Sequence, residues 1–135
     1  MRVTLDTNVY VSAFQFGGPP QQVLQLMLDG DLEVAVSGYI VNETLETLRD
    51  KFGWAQDALA RVRDTIEWNA RVVRPVESLN VIEEDPDDNR ILECACTAES
   101  QAIVTGDKDL LRLGEFRGIP ILTVRSILTR IQQID

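Results

Sequence analysis

Short apolar runs recur along the chain and alternate with stretches whose apolar residues fall at helical spacing. Arg2-Val3-Thr4-Leu5 reads as a first strand that ends in the polar Asp6-Thr7-Asn8, and Val9–Phe14 as a short helix or turn. Gly17-Gly18-Pro19-Pro20 predicts a loop. Gln21–Leu28 predicts a helix with Val23, Leu24, Met27 and Leu28 at helical spacing. Leu32–Val36 predicts a buried strand, and Ser37 caps the helix predicted over Tyr39–Phe52, which Gly53 ends. A longer helix is predicted over Trp54–Ala70, a third strand over Arg71–Arg74, and an acidic loop over Glu83–Asn89. The pattern finishes with helix Arg90–Glu99, strand Ala102–Thr105, a helical turn at Asp109–Arg112, strand Ile119–Leu122 and helix Val124–Ile134.

The strands are continuous apolar runs, not alternating ones. Such strands are covered on both faces, so the pattern predicts an α/β fold with helices on either side of a parallel sheet. With 135 residues, no repeat and no low-complexity segment, residues 1–135 are expected to form one domain with a core of its own.

Composition narrows the chemistry. No histidine is present, which excludes every scheme that needs an imidazole base. Cys94 and Cys96 are the only cysteines, too few for a disulfide framework or a zinc site, and are expected to be small packing residues in a reducing compartment. No segment approaches the roughly 18 to 20 apolar residues of a membrane span. The N-terminus lacks a secretory apolar region, so a cytoplasmic location is expected. The net charge of −9 argues against gripping nucleic acid by the overall field. It weighs less if part of that charge holds divalent cations. Four site carboxylates set aside, the chain is still acidic, which points to a basic partner or a locally basic groove.

In an open parallel sheet, ligands bind beyond the carboxyl ends of the strands. Asp6 ends the first strand, Asp107 follows the fourth, Glu43 lies one turn into the helix after the second, and Asp88 stands at the entry of the helix leading into the fourth. Each acid has an ordinary reading: Asp6 and Asp88 as helix caps, Glu43 as a surface residue, Asp107 as a turn residue. Together they make a carboxylate cluster, which is unstable without a cation and whose oxygens suit Mg²⁺ or Mn²⁺, one ion or two.

These residues carry a resemblance. Leu5-Asp6-Thr7-Asn8-Val9 with Ser12, then Ser37 followed by Glu43, then Asp85-Pro86-Asp87-Asp88-Asn89-Arg90-Ile91-Leu92, and Ile103-Val104-Thr105-Gly106-Asp107-Lys108-Asp109-Leu110-Leu111 occur in the order found in PIN-domain nucleases. Over nearly its whole length the chain resembles the VapC-like group, the bacterial and archaeal toxins of toxin–antitoxin pairs. The resemblance implies a three-layer α/β/α sandwich with a central parallel sheet of four to five strands, and metal-dependent endoribonuclease activity with Mg²⁺ or Mn²⁺. It implies Asp6, Glu43, Asp88 and Asp107 as catalytic residues and metal ligands, with Asn8, Thr105 and Asp109 in support. It also implies an RNA substrate, a cognate antitoxin and a possible homodimer. Arg90, Lys108 and Arg112 are expected to grip substrate, although Arg90 and Arg112 also read as solvated helix charges. Trp54 and Trp68 are expected to pack between helices in preference to stacking on bases.

Three rivals use the same pattern. A receiver-like signalling domain needs an acid after the third strand, where Val73-Arg74-Pro75 supplies none. A DNA or flap nuclease needs additional helical extensions. A non-catalytic PIN-fold module that binds RNA or protein fits the acidic charge.

Overall fold

The computed structural model describes residues 1–134. Its sheet is built from β1 (Arg2–Leu5), β2 (Glu33–Ser37), β3 (Arg71–Val73), β4 (Ala102–Val104), β5 (Glu115–Phe116) and β6 (Ile119–Leu122), in the spatial order β3-β2-β1-β4-β6-β5. Five of the strands are parallel, as the apolar runs predict, with Thr4 opposite Ala35 on one side and Ile103 on the other. The central strands are shielded on both faces: Val3, Val34, Ala35, Val36, Ile103 and Val104 are all fully buried.

The helices are α1 (Thr7–Gln15), α2 (Pro19–Leu28), α3 (Gly38–Phe52), α4 (Gln56–Asn69), α5 (Asn89–Ala98), α6 (Lys108–Leu113) and α7 (Val124–Ile134). One layer is α5, packed against β1, β2, β3 and β4. The opposing layer is a chain of helix contacts running α7, α2, α1, α3, α4. The result is a three-layer α/β/α sandwich.

Three elements depart from the predicted pattern. Helix α1 is longer, a full nine residues, and starts directly behind Asp6. Helix α2 begins at Pro19, inside the stretch predicted as loop. Proline suits the first helical position, where its missing N–H has no intrahelical partner to lose, and Gly18 with φ of +69° makes the sharp entry. Strand β5 was not predicted. It pairs antiparallel with β6 through a turn at Arg117-Gly118, both with positive φ (51° and 81°). Arg at the first of those positions disguises the hairpin, because the usual signal there is Asn or Asp.

The segment between β3 and α5 has little regular structure, yet it is firmly held. Leu79 and Ile82 are buried. The fully buried Asn89 accepts from the N–H groups of Val81 (2.8 Å) and Ile82 (2.9 Å), and its Nδ2 donates to the carbonyls of Ile82 and Pro86 (2.9 Å each). Glu93 accepts from Leu79 N–H at 2.8 Å, and Arg90 Nη2 donates to the Leu79 carbonyl at 3.1 Å. The first two turns of α5 thus bind the loop that leads into Asp85–Asp88. Replacing Asn89 by Ala strands buried backbone groups, and the expected loss of stability is about 2–4 kcal/mol. Urea denaturation measures it; a shift below about 0.5 kcal/mol, the range of neutral surface changes, contradicts the role given to Asn89.

Candidate metal centre

Asp6 leaves β1 and caps α1 with its backbone, but its side chain makes no capping bond. That side chain is 4% exposed and faces the adjacent end of β4. There the fully buried Thr105 donates its hydroxyl to Asp6 Oδ2 at 2.6 Å and accepts the N–H of Asp107 at 2.9 Å. One threonine, ninety-nine residues from Asp6 in sequence, therefore ties together the acids that follow β1 and β4. Asp107 is fixed further as the N-cap of α6, its Oδ2 accepting from the N–H groups of Asp109 and Leu110 at 3.0 Å each.

Asp88 enters from a single 3-10 turn, Pro86–Asp88, that runs straight into α5. Asp85 caps this turn by accepting from the Asp87 N–H at 3.3 Å. One carboxylate oxygen from each of Asp85, Asp88 and Asp107 lies within 4.8 Å of the others. Asp88 is 7% exposed, and its enclosed Oδ2 has no hydrogen-bond partner.

Glu43 approaches from α3. It is half-buried, close enough for its charge to act on Asp6, and Tyr39 one turn earlier donates its hydroxyl to Glu43 Oε2 at 2.7 Å. Asn8 is exposed and contributes its backbone N–H toward the Asp6 carboxylate.

The electrostatics follow from burial and crowding. Burial pushes the Asp6 carboxyl up to about 6; the Thr105 hydrogen bond and the nearby Asn8 N–H oppose this, and the charges of Asp107 and Glu43 add to it. Asp88 is pushed up to about 8, first by burial, then by the close approach of the Asp107 carboxyl and the charges of Asp107, Asp85 and Asp6. Tyr39 is likewise pushed up, by burial and by its acidic neighbours Glu43 and Asp87. Among the described residues, no Lys or Arg forms an ion pair with Asp6, Glu43, Asp85, Asp88 or Asp107. A set of oxygen donors alone, one of them buried and unpartnered, fits a hard divalent cation such as Mg²⁺ or Mn²⁺.

The cations expected to serve substrate are placed differently from one another. Arg90 turns to Leu79 and to Glu93 Oε2 (3.3 Å). Arg112 pairs with Asp109 at 3.4 Å, so both belong to the flank of α6. Lys108 is exposed beside Asp107. Trp54 packs edge-to-face on Phe14 and donates to Gln15 at 2.6 Å, as expected of a packing residue. Trp68 does not pack: it is 90% exposed on α4. Asp85 and Tyr39 also stand beside these acids, outside the set expected from sequence. Asp85-Pro86 carries a cap-then-proline signal, and Tyr39 stands four residues before Glu43, where side chains meet on one helix face.

The family model described as PIN domain matches residues 2–109. No curated protein matches the chain. Solved structures share its fold. VapBC2 from Rickettsia felis, bound to a DNA fragment from its promoter, is 14% identical with a TM-score of 0.65, covering 91% of this chain and 98% of that one. VapC20 of Mycobacterium tuberculosis, a sarcin–ricin loop cleaving toxin, is 15% identical with a TM-score of 0.62, covering 87% and 98%. The PIN domain endonuclease Utp24 is 24% identical with a TM-score of 0.52, covering 90% and 84%. With the family model spanning most of its length, from β1 to the first turn of α6, this chain belongs to the PIN-domain family.

Proposed function

We propose that this protein is a metal-dependent endoribonuclease and the toxin of a toxin–antitoxin pair. The observation that carries the reading is the pair of acids joined through Thr105, with Asp88 and Asp85 brought against Asp107 and, among the described residues, no Lys or Arg paired with them. The fold shared with a VapBC structure and with a sarcin–ricin loop cleaving toxin supports it. The acidic cluster also suits the basic residue of an antitoxin.

In this reading Asp6, Asp88 and Asp107 hold Mg²⁺ or Mn²⁺, with Glu43 completing the site. A divalent ion bound there supplies Lewis acidity, easing ionisation of water and offsetting charge that grows on the phosphate oxygens. Thr105 keeps Asp6 and Asp107 in register, so that their charge is preorganised before substrate arrives. Glu43, with Oε2 pinned by Tyr39, orients the attacking water and takes its proton. The water oxygen bonds to phosphorus in line with the departing 3′ oxygen. That P–O bond breaks, the 3′ oxygen takes a proton from solvent, and a 5′-phosphate and a 3′-hydroxyl result.

Asp6→Asn keeps shape and removes charge. Its expected effect is a loss on the order of 10²-fold or more in the rate of RNA cleavage at saturating Mg²⁺. Parental cleavage by the folded variant contradicts the proposal, and so does a parent that leaves a mixed RNA pool intact in Mn²⁺.

Acidity gives a second outcome. Carboxyls raised from the ordinary range near 4 to about 6 (Asp6) and about 8 (Asp88) bind more protons folded than unfolded. They therefore stabilise the metal-free fold at low pH, and that contribution is lost as pH rises from about 4 to about 8. Urea midpoints in EDTA should fall across this window, and Mn²⁺ should restore them most at its upper end, where it no longer competes with protons. A metal-free midpoint that rises with pH throughout the window contradicts the crowded, buried placement of these acids.

A further inference from the structure

Beside the carboxylates, over the carboxyl ends of β2 and β3, lies a groove of about 310 Å³. Its walls are Ser37, Gly38 and Tyr39 at the start of α3, Val73-Arg74-Pro75 where β3 ends, and Arg90 and Glu93 on α5. It joins the candidate site at two points. Tyr39 donates to Glu43, and Arg90 is two residues beyond Asp88. The midline between β2 and β3 is one and a half strand spacings from β1, so the groove opens roughly 7 Å from the strand that carries Asp6.

The lining has the chemistry of a nucleotide site. Arg74 is exposed, and among the described residues it forms no ion pair or side-chain hydrogen bond. Arg90 commits Nη2 to Leu79 and Glu93, while its buried Nε has no partner. The one carboxylate in the wall, Glu93, is occupied by the Leu79 N–H and by Arg90. The wall carries two guanidiniums against one engaged carboxylate, on a chain of net charge −9, with Glu43 and Asp87 beyond Tyr39 on the side of the carboxylate cluster. Tyr39, 38% exposed and with its hydroxyl anchored, offers a ring face on which a base can stack. At Gly38 an added Cβ would meet nothing within 4 Å, so the wall is open along the start of α3.

We infer that this groove is the subsite for the nucleotide next to the scissile phosphate, its phosphate held by Arg74 and Arg90 and its base stacked on Tyr39. The inference rests on the nuclease reading. It also gives the acidic chain a specific means of holding a polyanion.

Adenosine 5′-monophosphate in EDTA probes the groove without metal or catalysis. Titrated into ¹⁵N-labelled protein, it should shift the amides of Gly38, Tyr39 and Arg74 along one saturable curve. Arg74→Ala should weaken that binding about tenfold, Arg74→Lys less because the fork is lost but the charge is kept, and Tyr39→Leu about tenfold. With RNA and Mn²⁺, Arg74→Ala should raise KM by a similar factor while Mn²⁺ affinity measured by calorimetry stays at the parent value. Shifts gathered around Lys108 and Arg112 instead, or a KM and nucleotide affinity indifferent to Arg74→Ala, overturn the subsite while RNA cleavage by the parent upholds the nuclease reading. If the folded parent binds the nucleotide in this groove but cleaves no RNA, the nuclease reading falls, and the placement beside a scissile phosphate falls with it.

Discussion

The carboxyl edge of this sheet answers to one constraint: topology brings acids together, two of them (Asp6 and Asp88) buried, and among the described residues no Lys or Arg pairs with them. The Thr105 hydroxyl is the device that makes this tolerable. It donates to Asp6 and accepts from the Asp107 backbone, so a neutral side chain links the ends of β1 and β4 and fixes the spacing between two charges. The remaining strain is electrostatic, and it appears as the raised carboxyls of Asp6 and Asp88. Such a cluster is a set of oxygen donors able to hold a divalent cation.

The far side of the site depends on a different arrangement. Asp85 and Asp88 hang on a turn that no strand supports. Their position comes from α5, whose Asn89 and Glu93 replace a missing ladder by satisfying the backbone of residues 79–86. Stability and site geometry are therefore coupled through α5. The helix packs on β1, β2, β3 and β4 and also carries the loop that delivers an acid to Asp107.

Much of this was legible in the sequence, and the reasons are physical. Continuous apolar runs give away strands buried on both faces, as β1, β2 and β4 are, whereas the edge strand β3 is largely exposed. Chain order then tells which polar residues stand at strand ends, which is why Asp6 and Asp107 could be named. The losses have equally specific causes. Strand β5 is two residues long and turns through Arg117-Gly118, too short and too unusual to register as a hairpin. Asp85 was hidden in a run of acids, where the 3-10 turn that it caps decides which of them meet Asp107. Arg90 was legible as a cation but not as a loop clamp, because its partners are the backbone of Leu79 and the buried Glu93. Trp68 stands in solvent on the outer side of α4, where its size alone suggested packing.

The central claim is that Asp6, Asp88 and Asp107 share a divalent cation. Crystals of the protein grown in Mn²⁺ and measured at the manganese absorption edge test it most directly. The account predicts an anomalous peak among these three carboxylates, within about 2.0–2.6 Å of oxygens from at least one of them, as for other hard divalent ions. Manganese bound only elsewhere, or well-ordered carboxylates with no anomalous density between them, would contradict it.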